Sequence, residues 1–194
     1  NIDKMQQILR SLNIDAEANV AEQQYNELIK NAYLIADGQK VEGTEGITPE
    51  DPAFSGEEAA KGVPVFEAEI DGSKKYILSM NGAGLWGAIW GYLAIESDGS
   101  TVYGAEFGNA GETPGLGAEI VEPEFRNQFI GKELIKNNEF KSIAVVKPGQ
   151  SVSDRDYVDG ISGGTITSKG VDNMLFNSVK KYDSFLMNLH SDNQ

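Results

Sequence analysis

Residues 157–171 read Tyr-Val-Asp-Gly-Ile-Ser-Gly-Gly-Thr-Ile-Thr-Ser-Lys-Gly-Val, and the passage from turn to helix inside this stretch frames the rest of the chain. Asp159 and Gly160 signal a turn, and Gly163 and Gly164 admit backbone angles closed to other residues. Three hydroxyls follow, on Thr165, Thr167 and Ser168. Beyond them Val171, Met174, Leu175, Ser178, Val179, Tyr182, Phe185, Leu186 and Leu189 recur at three- and four-residue spacing, opposite Asp172, Asn173, Lys180 and Lys181, so a helix with one apolar face is expected. A hydroxyl beside glycines at a helix start has two readings. One of the three hydroxyls caps the helix by accepting an early backbone N–H, or the unpaired N–H groups and the positive end of the helix dipole hold a phosphate. Spacing alone leaves both open and favours the cap.

The 194 residues suffice for one ordinary domain, and 40% hydrophobic with 24% charged residues is a globular composition. Sixteen Lys plus Arg against 30 Asp plus Glu leave a formal charge of -14, which disfavours nucleic acid and anionic lipid as partners. The absence of Cys excludes a thiolate-held iron–sulfur cluster and any internal disulfide, so electron transfer by this chain requires an organic cofactor. His190, near the C-terminus, is expected to be a solvated tail residue and not a ligand or catalyst. No run approaches the roughly 18 apolar residues that a spanning helix needs, and no signal peptide is visible. Because the chain starts at Asn1 and not at Met, a preceding segment able to hold an anchor is expected.

In chain order, Asp3 is positioned to cap a first helix with Met5, Ile8, Leu9 and Leu12 on its apolar face. A second helix is expected from about Val20 to Ala36, stopped by Gly38. Residues 41–60 carry six acidic residues, no Lys or Arg, and interrupting Gly and Pro, which reads as a solvated loop. Glu42, Glu45, Glu50 and Asp51 lack the ligand spacing of a calcium loop. Residues 63–70 alternate, Asp71-Gly72 signals a hairpin, and Tyr76 to Met80 returns antiparallel. Leu85 to Ile95 is apolar on both alternating faces and suits a central strand; Gly87 and Gly91 within it imply helix packing, a sheet bend or a ligand close by, the packing readings being favoured. After the Asp98-Gly99 turn, Thr101 to Phe107 forms another strand. Gly111-Glu112-Thr113-Pro114-Gly115-Leu116-Gly117 is a tightly shaped loop with polar groups beside one apolar side chain, and without any dinucleotide-fold signature.

Two of these stretches carry a resemblance. Asp159 to Ser168 resembles the flavinylation motif of the FMN-binding subunits of the Na+-translocating NADH:quinone oxidoreductase and of the related Rnf electron-transport complex, with Gly164 standing where that family usually has Ala. Glu112-Thr113-Pro114-Gly115-Leu116-Gly117 is similar to the family's second signature, although Asn109 and Ala110 precede it where the family often has His. Gly84-Leu85-Trp86, Gly91-Tyr92-Leu93-Ala94, Gln128-Phe129 with Gly131-Lys132, and Val145-Val146-Lys147 extend the likeness over about residues 82–189, and Gln7 to Ile14 resembles the segment that follows the membrane anchor. Gly-Leu-Trp and the opening helix favour the Na+-translocating branch over Rnf.

The resemblance implies an α+β fold: an antiparallel β-sheet core flanked by helices, with residues 1–40 as an N-terminal helical segment after an anchor and 41–194 as a single FMN-binding domain. It implies covalent FMN, joined through its phosphate to Thr165. Glu112, Thr113, Gly115, Leu116 and Gly117 then line the flavin from one loop, and Ser162, Gly163, Gly164, Thr167 and Ser168 surround its phosphate from the other. The partners implied are other subunits of the same membrane complex, an upstream iron centre, a flavin on a membrane subunit and a separate flavin transferase that uses FAD. Direct NADH binding is not implied, and the domain is placed on the extracytoplasmic side of a bacterial inner membrane. Two rival readings stay open: a domain that binds FMN noncovalently, and an acidic scaffold that keeps the fold without flavin.

Overall fold

Along Ile29–Ala36 the side chains of Ala32, Tyr33, Leu34 and Ile35 are all buried. They alternate between two cores, Ala32 and Leu34 on one side of a sheet and Tyr33 and Ile35 on the other, which is how a strand covered on both faces is built. The expected second helix is therefore corrected. It spans Ala18–Leu28 (α2), and the chain turns extended at Ile29 to form strand β1, Ile29–Ala36. Periodicity misleads here because a continuously apolar strand lacks the alternation that separates it from a helix.

The chain is described from a computed structural model covering residues 2–46 and 61–193. Helix α1 (Ile2–Ser11) precedes α2. β1 is followed by β2 (Gln39–Lys40), β3 (Val63–Ile70), β4 (Ser73–Ala83), β5 (Ala88–Glu96) and β6 (Val102–Asn109). These six form one sheet in the order β2-β1-β3-β4-β5-β6, with every neighbouring pair antiparallel. The hairpin read from Asp71-Gly72 is present, both residues adopting positive φ (51° and 77°) between paired Ile70 and Ser73. The expected 1–40 segment thus supplies two helices and two strands of the common sheet. Asp3 lies inside the first turn of α1 instead of capping it, and its carboxylate accepts a bond from Gln7. Of the acidic loop, residues 47–60, including Glu50 and Asp51, lie outside the described residues. No cluster of three or more metal-ligating side chains occurs among the described ones.

One face of the sheet is covered by α1, the turn after it and α2 through Ile8, Leu9, Leu12 and Tyr25. The Arg10 side chain makes a short ion pair with the buried Glu106 of β6, tying α1 to the sheet. The other face receives helix α4 (Thr165–Lys180), after the short helix α3 (Pro123–Arg126), the hairpin β7–β8 (Ile135–Lys136, Glu139–Phe140) and the parallel pair β9 (Ala144–Val146) and β10 (Tyr157–Asp159). Val171, Met174, Leu175 and Val179 are all buried against it, each contributing about 1.5–3 kcal/mol of transfer free energy. α4 approaches β4 very closely: a Cβ on Gly170 would stand 2.3 Å from the Ala83 carbonyl oxygen, and one on Gly82 2.8 Å from Met174 Cβ.

The apolar period from Val171 to Leu189 is divided between two helices, α4 and α5 (Asp183–Asp192). Tyr182 sits at the break, 1% exposed. Its hydroxyl donates to the Pro64 carbonyl (2.7 Å) and accepts from the Ser79 N–H (3.1 Å). His190 is half-buried in α5 and is not a free tail residue, with Nδ1 3.1 Å from the Asp98 carbonyl oxygen. Gly91 makes room within the sheet, for the Glu106 carbonyl and Met80, and not for a helix.

Candidate functional site

β10 delivers the chain to the start of α4. Gln128 clamps Asp159, donating to its carbonyl (3.0 Å) and accepting its N–H (2.9 Å), and the Gly160 N–H continues the ladder to Val146 (2.7 Å). A turn follows, closed by the Gly164 N–H donating to the Ile161 carbonyl (3.0 Å), with Gly163 at φ 78° in its third position. A side chain there would be strained, which explains that glycine. Gly164 is different. Its φ is -123°, open to any residue, and an added Cβ would lie 3.1 Å from Ile161 Cβ and 3.3 Å from Gly117 Cα. The methyl present in the related motif is therefore a tight fit and not a forbidden one.

The structure separates the three hydroxyls. That of Thr167 is buried and donates to Glu112 Oε1 at 2.5 Å. That of Ser168 is also buried and accepts the Ile161 N–H at 2.8 Å, bracing the preceding turn. Neither caps the helix, whose Gly164 end has no side-chain cap. The capping reading is thus corrected: the polar partners of Thr167 and Ser168 lie in other segments, which short-range spacing does not reveal. The Ser168 N–H is committed to the Gly164 carbonyl (2.8 Å), leaving the amides of Thr165, Ile166 and Thr167 as the open first turn. Thr165 itself is exposed, and its hydroxyl has no partner among the described residues.

Glu112 lies behind this turn, 4% exposed. Oε1 accepts the Leu85 N–H (2.8 Å) together with the Thr167 hydroxyl, and Oε2 accepts the Trp86 N–H (2.8 Å). Burial pushes its carboxyl up, but the Thr167 hydroxyl and the amides of Trp86, Leu85 and Gly87 outweigh burial and hold it below the usual carboxylate range. Leu85 to Gly87 form a separate turn between β4 and β5 and are not part of the expected strand, which starts at Ala88.

In front of the turn is a hollow of about 230 Å³ walled by Leu85, Trp86, Leu116 and Ile166, with Thr113 and Thr165 at its rim. Gly117, Gly163, Gly164 and Thr167 complete its lining. Gly115 and Ser162 line a neighbouring acidic hollow of about 520 Å³ beside Glu119, Glu122 and Asp159, while Glu112 and Ser168 line neither. A further hollow of about 480 Å³ lies beside α1. Size alone does not select the hollow of about 230 Å³, since larger ones exist. Its chemistry does, because among the described residues four of the eight exposed large hydrophobic side chains surround it, Trp86 at 69% exposure foremost. Such a patch beside an open helix N-terminus suits a ligand with a flat apolar part and an anionic group. Leu85, Trp86 and Ile166 are walls that the sequence reading does not assign; the similarity of Gly84-Leu85-Trp86 to the family is the signal that points to two of them.

A family model described as an FMN-binding domain matches residues 84–180, which include this hollow and both glycine-rich loops; the chain carries an FMN-binding domain. The C subunit (NqrC) of the Na(+)-translocating NADH-quinone reductase of Vibrio vulnificus is 34% identical over 188 residues, covering 88% of this chain and 74% of the relative. The crystal structure of its counterpart from Parabacteroides distasonis superposes with a TM-score of 0.87 at 55% identity, over 95% of this chain and 91% of that one. Shewanella oneidensis NqrC superposes with a TM-score of 0.73 at 25% identity, over 98% and 97%. The chain belongs to the NqrC family, the C subunits of the Na(+)-translocating NADH-quinone reductase.

Proposed function

We propose that this chain is a covalently flavinylated electron-transfer subunit of a Na+-translocating NADH:quinone oxidoreductase, with FMN joined through its phosphate to Thr165. The observation that carries the reading is the sorting of the hydroxyls: Thr167 and Ser168 are buried and engaged, and Thr165 stands exposed and unpartnered among the described residues at the helix start. Attachment by a flavin transferase forms the bond from Thr165 Oγ1 to the FMN phosphorus of FAD, breaks the pyrophosphate bond, releases AMP and frees the hydroxyl proton. The residues present fit the group. The first-turn amides of Thr165, Ile166 and Thr167 and the helix dipole favour the phosphate's charge, while Gly163 and Gly164 line the hollow beside it. Leu85, Trp86, Leu116 and Ile166 offer the flat ring an apolar seat that excludes water from part of it. A hollow of about 230 Å³ is smaller than typical enclosing pockets of about 300–1,000 Å³, so these residues would enclose only part of a flavin-sized ligand.

When bound, the flavin supplies reversible electron uptake, and the protein supplies its position and surroundings. In this reading the subunit relays electrons from an iron centre to a flavin on a membrane subunit, faces the extracytoplasmic side, and binds no NADH itself. Among the described residues no helix is long and apolar enough to cross a membrane. Intact mass after production with a flavin transferase tests the reading: a gain of FMN less one water, mapped to Thr165 and lost in Thr165→Ala, is expected. Covalent flavin retained by Thr165→Ala, or an unmodified wild-type chain beside a modified control carrier, overturns it.

A further inference from the structure

Buried carboxylates are costly, and a well-packed apolar side chain in the same place is usually no less stable. Glu112 is such a carboxylate, and its partners are a hydroxyl and backbone amides in place of Lys or Arg. Those partners come from separate parts of the chain that meet only at the hollow: the Leu85–Trp86 turn after β4, the loop after β6 that bears Glu112 itself, and the first turn of α4. The neighbouring glycines leave space for this junction. A Cβ on Gly84 would stand 2.3 Å from Glu112 Oε1, and one on Gly117 2.3 Å from Thr167 Oγ1. The Glu112 N–H is held in turn by Asn109 Oδ1 at 3.0 Å, so the residue is fixed from its backbone as well as its carboxylate.

We infer that Glu112 is a positioning residue for flavin attachment and seating: its carboxylate, which does not line the hollow, holds the Leu85–Trp86 wall and the Thr165 turn in register with the loop that carries Leu116. The inference rests on the flavin-carrier reading and adds to it. Thr165 is two residues before Thr167 in the same helical turn, so the Thr167 bond sets where the acceptor hydroxyl stands relative to both walls. The main-chain links at Leu85 and Trp86 do the same for the opposite side. Glutamine at position 112 keeps the shape but places an NH2 group against N–H or O–H donors, whichever way it turns.

The experiment follows the rate of flavin attachment by intact mass, with FAD and a flavin transferase, on wild type, Glu112→Gln, Thr167→Val and Thr167→Ser, and measures fluorescence anisotropy of the attached flavin. Glu112→Gln should load about tenfold more slowly, as expected for a junction left with a misplaced buried donor. Thr167→Val should load severalfold more slowly, Thr167→Ser should recover most of the rate, and both slow variants should hold the ring less rigidly while remaining folded by circular dichroism. If Glu112→Gln does not fold, Thr167→Val against Thr167→Ser decides. Wild-type rate and anisotropy in Thr167→Val or in a folded Glu112→Gln, or no recovery in Thr167→Ser, overturns the positioning role. A wild-type chain that gains no flavin at Thr165 overturns the carrier reading instead, so the two failures are distinct.

Discussion

The Thr167 hydroxyl donates a 2.5 Å hydrogen bond to Glu112 Oε1 across 55 residues of sequence. It joins the helix start to the loop after β6, the two segments that a sequence reader notices separately. Because the same oxygen also accepts the Leu85 N–H, removal of any one member disturbs the others, and substitutions there are expected to be non-additive.

The glycines around this junction should differ in their tolerance of alanine. Gly164→Ala requires a shift of a few tenths of an ångström against Ile161 and Gly117, at an allowed φ, and should cost little. Gly163→Ala must place a Cβ at φ 78°, 2.8 Å from the movable end of Leu116, and should cost about 1 kcal/mol. Gly117→Ala strikes Thr167 Oγ1 and displaces the bond to Glu112, at about 1–3 kcal/mol. Chemical denaturation of the three variants checks the order; a Gly117→Ala as stable as Gly164→Ala contradicts it.

Acidification should expose the Glu112 contribution. Its carboxyl is held below the usual range in the folded chain, so its stabilisation is fully present above the unfolded value and is lost as pH falls through the folded one. The melting-temperature gap between wild type and Glu112→Gln should therefore be widest near neutrality and narrow below the ordinary carboxylate range. Asp98 is lowered as well: burial raises it, but Thr101, Ser100 and the charge of His190 outweigh that. It is present in both proteins and cancels from the difference. A gap independent of pH would show that the carboxylate's charge contributes nothing.

Tyr182→Phe should destabilise without altering flavin attachment. The variant leaves the Pro64 carbonyl and the Ser79 N–H without their buried partner, a cost of about 1–3 kcal/mol. Denaturant titration of the folded domain measures it, and a change below a few tenths of a kcal/mol would show that water replaces the hydroxyl.

Arg10→Met should loosen the first helix from the sheet. Glu106 is buried and loses its short partner, while Arg126 Nε stands 3.9 Å away as the remaining cation. Breaking a fully buried pair costs about 3–5 kcal/mol; the Arg10 side chain is 27% exposed, so about 2 kcal/mol is expected. Hydrogen exchange across residues 2–11 should accelerate more than across α4; equal acceleration would mean that the pair stabilises the whole domain uniformly.

Local features are legible where their cause is local. The Asp71-Gly72 hairpin, the glycine turn before Thr165 and the apolar face of α4 follow from backbone freedom and periodicity within a few residues. β1 reads as helix in the sequence because its burial on both faces removes alternation, and the anchoring of Tyr182 at the break between α4 and α5 is invisible there because its partners, the Pro64 and Ser79 main chain, lie more than 100 residues away.

The amino-acid order by itself determined the two glycine-rich loops, the three candidate hydroxyls, the absence of thiol chemistry and the antiparallel hairpins, since each depends on residue type and short spacing. Only the tertiary structure decided which hydroxyl is free, that Glu112 is a buried junction, and that Leu85, Trp86 and Ile166 wall the hollow. Those outcomes depend on hydrogen bonds and burial between segments tens of residues apart, and a carboxylate or a hydroxyl reveals its partner only when the chain has brought that partner within bonding distance.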